Sequence, residues 1–146
     1  MARLLCLLLC VFPIGAKAAD EIWATLSLHS YHSKRHTYNE NNLGAGLEYS
    51  SSSFPQGTRL VTGFYDNSFN RETVYAGVSY TPLTFKDFHF GGLVVGVTNY
   101  PRTSFLGAFA LEYEYKKIGV NLFFVPRVSS HLFDTAVTAL QLKFLF

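Results

Sequence analysis

Residues 66–71 hold more chemistry than a turn needs: Asp66, Asn67, Ser68, Asn70 and Arg71 set a carboxylate, two carboxamides, a hydroxyl and a guanidinium between two strand-like runs. A hydroxyl and an imidazole that converge are the parts of acyl transfer, in which the base removes the hydroxyl proton and returns it to the leaving group. The candidate imidazole is His29, which simple alternation places with Ser27 on one face of the first strand, opposite Leu26 and Leu28. Tyr38, Asn39 and Glu40 fall in the next loop, at the same end of the molecule as Ser68. Asn67, Asn39 or Arg71 would then donate to an oxyanion. Asn, Ser and Asp are also the ordinary vocabulary of a hairpin tip, so the solvent that the strands face decides which reading the stretch takes.

The first residues, MARLLCLLLCVFPIGAKAADE, combine one arginine, an apolar core from Leu4 to Ile14 and small residues flanking Lys17. This is the pattern of a secretory leader cleaved after Ala18, and its apolar run is shorter than the roughly 20 residues a spanning helix needs. The expected division is a signal peptide at 1–18 and one domain at 19–146. Cys6 and Cys10 both lie in the leader, so the remaining chain has neither disulfide nor thiol nucleophile. Without Arg3 and Lys17 the 12 basic residues become 10, equal to the 10 acidic ones, which argues against a nucleic-acid partner. The chain is 49% hydrophobic with 14 Phe and 9 Tyr, yet it has no second long apolar run, so the apolar surface must be spread over short segments.

Those segments alternate with a period of two. Leu43, Ala45, Leu47 and Tyr49 oppose Gly44, Gly46, Glu48 and Ser50, and Val74, Ala76, Val78 and Tyr80 oppose Thr73, Tyr75, Gly77 and Ser79. Turn signals divide the chain into eight strands near 22–31, 42–51, 58–66, 71–81, 88–99, 104–115, 119–126 and 135–146. Long and short connections alternate between them. Eight antiparallel strands of roughly 9 to 11 residues with one apolar face predict an all-β, up-and-down transmembrane barrel in the outer membrane of a Gram-negative bacterium. A water-soluble barrel of the same size would carry polar residues outside. The closing LQLKFLF ends on Phe, which resembles the terminal signal by which the outer-membrane assembly machinery recognises such barrels. In HFGGLVVGVTN both faces are apolar, so Leu93, Val95 and Val97 are expected to look inward, beside Gly77 and other small residues. They would either fill the lumen or line a slot for one acyl chain. His29, His32 and His36 lack a carboxylate at metal-ligand spacing, and no metal or other cofactor is expected. Lys34, Arg35, Arg102 and Arg127 fall in the outer loops, where they would be solvated or engage lipid phosphates.

The stretches YNENNLGAGLEYS, NSFNRETVYAG, DFHFGGLVVGVT and KFLF together resemble the outer-membrane lipid A palmitoyltransferases, over most of the chain after the leader. The resemblance implies a monomeric eight-stranded barrel that takes a palmitoyl chain from a phospholipid, holds it inside and places it on lipid A. It also implies a first-strand His at His29 and an Asp-Ser pair at Asn67 and Ser68, so that Asn67 would orient His29 without stabilising its cation by charge. Asp66 could supply that charge only if the hairpin rearranged. Pro126 matches a proline that opens a lateral gate for lipid by removing a backbone donor. The chain departs from the family in Asn67, in a shorter first loop and in a first strand that starts almost at once after the leader. The two expectations are an acyltransferase or deacylase acting on lipid A or phospholipid, and a non-enzymatic structural, adhesive or exclusion barrel. In the second, Arg71 and Tyr75 would reach Ser68 and His29 and plug the mouth.

Overall fold

Alternating apolar and polar residues between turn formers become β1 (Glu21–His32), β2 (Asn41–Ser50), β3 (Thr58–Asp66), β4 (Glu72–Phe85), β5 (Phe88–Val97), β6 (Phe105–Tyr115), β7 (Ile118–Val125) and β8 (Val137–Leu145). This is a computed structural model, and it describes residues 20–34, 38–127 and 135–146. The expected leader with Cys6 and Cys10, and Arg35 and His36, lie outside the described residues. Every strand pairs antiparallel with the next and β8 pairs with β1, closing the barrel and leaving no sheet edge. The eight expected strands are all present. The largest difference is β4, which continues to Phe85 because Pro82, unable to donate to a ladder, sits in a register shift between Tyr80 and Leu83 instead of ending the strand. The hairpin to β5 then turns on two residues, with Lys86 at a φ of 54°.

The outer face is apolar. Leu43, Leu83, Val94, Phe105 and Phe109 are each more than 60% exposed. The lumen has two unlike halves. In the half nearest the short turns, Glu48, Arg59, Glu112, Glu114 and Lys143 converge from β2, β3, β6 and β8. Lys143 is fully buried, its Nζ 3.2 Å from Glu48, 3.0 Å from Glu112 and 2.7 Å from Glu114, and 5.1 Å from the centre of the Trp23 ring. Arg59 pairs with Glu112 and, at 2.7 Å, with Glu114. Above this cluster lies a plate of amides. Asn121 donates to Glu48 and to Gln141 at 3.0 Å, and the Gln141 amide donates to Ser27 at 3.2 Å and approaches the Tyr75 hydroxyl at 3.5 Å. Gly46 is required beside the plate, since a Cβ there would collide with the Tyr75 hydroxyl and the Thr62 carbonyl.

The half nearest the longer loops is apolar. Val61, Tyr75, Val95 and Val97 pack together with Leu93, Tyr65, Tyr100 and Leu106 against them. Leu93, Val95 and Val97 therefore point inward as their alternation predicts.

Removing one partner from a buried ion cluster strands the others in a low-dielectric interior. Lys143→Met is expected to destabilise the barrel by about 3–5 kcal/mol, read as a lower urea midpoint in detergent or vesicles. Adding Glu112→Gln to that variant should recover part of the loss.

Candidate active site

The strand that delivers the imidazole does not alternate throughout. Ser27 pairs with Gln141 and His29 with Leu140, so β1 carries one extra residue, Leu28, against β8; against β2 the register slips the other way, Ser27 pairing with Gly44 and His29 with Asn41, so that Leu28 stands against two residues, Asn42 and Leu43. A bulge turns every later side chain over. His29, expected inside, is exposed opposite the outward Leu140, while Ser30 and His32 enter the lumen at 3% and 1% exposure. The imidazole that meets Ser68 is accordingly His32, whose Nε2 lies 2.9 Å from the Ser68 hydroxyl.

Glu40 completes the group. Its carboxylate accepts the His32 backbone N–H at 3.1 Å and lies 3.8 Å from His32 Nδ1, which has no hydrogen-bond partner among the described residues. For Nε2 to accept the Ser68 proton, Nδ1 must carry the ring hydrogen, and Glu40 is the anion on that side. Such contacts are commonly long before substrate binds. Tyr38 stacks on His32 at 4.9 Å with 22° between the planes, and Phe69 meets Tyr38 edge-on at 5.7 Å. Burial pushes the phenol of Tyr100, in the loop after β5, above its ordinary range, so it stays neutral.

The hairpin amides brace; they do not react. Asn67 is fully buried, with its amide donating to Thr73 Oγ1 at 2.9 Å and the Asn99 carbonyl at 3.2 Å. Its carbonyl oxygen accepts from the backbone of Phe69 at 2.8 Å and Arg71 at 3.1 Å. Both ends of the side chain are therefore spent, and Asn67 does not orient a histidine as expected. Asn39 is spent likewise: its backbone N–H reaches the Ser68 carbonyl at 2.9 Å, and its side chain bonds the backbone of Asn41 and Asn67. Asp66 and Arg71 are exposed. Asn67, Asn39 and Arg71 thus leave the oxyanion role unfilled, and Tyr75 lies down at the plate, so the expected Arg71–Tyr75 plug of the mouth does not form.

Beneath Ser68 and His32 opens a cavity of about 170 Å³, walled by Tyr65, Leu93, Val95, Leu106, Phe123 and Val125 among others and floored by Tyr75, Gln141 and Glu48. Gly77 and Val97 face the lumen without bordering it. Leu106 and Ala108 on β6 and Val125 on β7 border the cavity beyond the end of the β6–β7 ladder. The β6–β7 ladder starts only at Phe109 with Phe124, and Pro126 follows the end of β7. Glu40 and His32 were both visible in the sequence, but only the bulge and the loop contact bring them to Ser68. No protein-family model matches this chain, and no curated protein matches it.

Thr73 Oγ1 already donates to the Thr98 carbonyl at 3.0 Å, so it can only accept from residue 67, as can the Asn99 carbonyl. Asn67→Asp should therefore lower stability by about 1–3 kcal/mol without raising any activity. Thermal unfolding in detergent checks it, and a more stable variant would contradict the bracing role.

Proposed function

We propose that this protein is an outer-membrane enzyme that cleaves an acyl ester of lipid A or phospholipid and passes the chain to a hydroxyl acceptor or to water. The observation that carries this is the 2.9 Å contact of His32 Nε2 with Ser68 at the mouth of an apolar cavity, with the Glu40 carboxylate on the far side of the ring. The apolar outer face supports a lipid surrounding. The unpaired stretch between β6 and β7 beside Pro126 supports access for a chain from the side, since the cavity walls reach it.

In the reaction, Ser68 Oγ attacks the ester carbonyl as His32 takes its proton. The acyl carbon–oxygen bond breaks, and His32 returns the proton to the leaving alkoxide. The acceptor hydroxyl or water then attacks the acyl carbonyl and gives its proton to His32, the bond from the acyl carbon to Ser68 Oγ breaks, and His32 returns that proton to Ser68 Oγ. Glu40 holds the ring and stabilises its cation.

The floor sets the chain length. His32 pairs with Val137 and Ser27 with Gln141. From Val137 to Gln141 is about 13 Å of strand, or about 10 Å of depth at a tilt of about 40°. At about 1.3 Å per carbon, from bonds of about 1.5 Å, that depth takes about eight carbons. The volume agrees, since the cavity is slightly larger than the ~150 Å³ that admits benzene. A palmitoyl chain, at about 20 Å, would run through the plate.

Lipid A and phospholipids from a Gram-negative strain lacking its own palmitoyltransferase, with and without this protein, are compared by mass spectrometry. A gain or loss of one acyl chain is expected, abolished by Ser68→Ala and His32→Ala and retained in His29→Ala. Unchanged lipids with folded protein in the outer membrane would support the non-enzymatic barrel instead. Gln141→Ala, which opens the floor, should move the preference to longer chains.

A further inference from the structure

Besides His32 Nδ1, which faces Glu40, two buried polar atoms in the upper cavity wall have no partner among the described residues: Ser30 Oγ and Asn42 Oδ1. Ser30 is 3% exposed and Asn42 7%. The Asn42 amide nitrogen donates to the Asp66 carbonyl at 2.7 Å, which fixes the orientation of the carboxamide and leaves its oxygen over. The Ser30 backbone N–H donates to the Glu40 carbonyl at 2.9 Å, which leaves the hydroxyl as the unpartnered group of the residue. Ser30 is the inward position next below His32 on β1, and Asn42 stands on the neighbouring strand, one residue past the partner of His29. Leaving such groups unpaired is costly, and here they border a cavity otherwise walled largely by apolar side chains.

The chemistry of the pair selects its ligand. An oxyanion needs donors on every side, but a carboxamide oxygen can only accept, so this pair does not serve one. A hydroxyl satisfies both atoms, donating to Asn42 Oδ1 and accepting from Ser30 Oγ. Ser30 lies about 7 Å along the strand from His32, or about 5 Å deeper at the barrel's tilt. A hydrogen bond of about 2.8 Å from there places a ligand hydroxyl within the first few carbons below the reacting carbonyl, a range that includes the third carbon. We infer that the cavity takes a 3-hydroxyacyl chain, its hydroxyl held by Ser30 and Asn42. This rests on the reading of Ser68 and His32 as an acyl-ester site, and names the chain that site accepts.

The test is binding of methyl octanoate and of each enantiomer of methyl 3-hydroxyoctanoate to the full-length Ser68→Ala protein in detergent. Turnover of matched octanoyl and 3-hydroxyoctanoyl phospholipids by the unaltered protein is measured beside it. One hydroxy enantiomer is expected to bind about 10- to 100-fold more tightly than the plain ester, and Ser30→Ala should collapse that preference to within about threefold. Equal binding of hydroxy and plain esters, or a preference that survives Ser30→Ala, would overturn the inference. A binding preference that holds while neither phospholipid is turned over would keep the hydroxyl site and remove the catalytic reading.

Discussion

Five charged side chains packed inside the lumen have to be paired, and their pairing holds the register of the barrel. Glu48, Arg59, Glu112, Glu114 and Lys143 come from four strands. A slip of one residue in any of these strands would carry its charge to the apolar outer face and strand the rest. The amide plate of Asn121, Gln141 and Tyr75 stands on this cluster through Glu48. The cavity above it has a floor for that reason. Apolar side chains alone would fill an eight-stranded interior, but they would set no such boundary between a sealed half and an open one.

The open half depends on the mouth being held in shape by groups that do no chemistry. Asn39 ties the first long loop to the second, and Asn67 ties the second to β4 and to the loop after β5. Both use backbone carbonyls as acceptors, which a carboxylate cannot address. A carboxamide at position 67 thus fits its site better than the acid that the family resemblance implies. The carboxylate near the imidazole comes instead from Glu40, on the other side of the ring, and is anchored by the His32 backbone.

The division between bracing and reacting groups also explains why a polar hairpin tip misleads when it is read alone. Of the five polar residues at 66–71, only Ser68 turns its side chain to the imidazole, while Asp66 and Arg71 remain exposed. The tip is mostly turn vocabulary, with one hydroxyl set at the cavity mouth by the contacts of its neighbours.

Period-two alternation and turn formers by themselves determined eight strands, their order and the inward facing of Leu93, Val95 and Val97, because these are local properties of a pleated chain. The polar face of β2, β6 and β8 was legible as well, since Glu48, Glu112 and Lys143 each oppose apolar neighbours in sequence. Their pairing was not legible, because it depends on which strands the closed barrel sets across from one another. Nor was the choice between His29 and His32. That choice rests on one unpaired residue, Leu28, whose bulge is fixed by the registers of two neighbouring strands, and only the tertiary structure holds both registers at once.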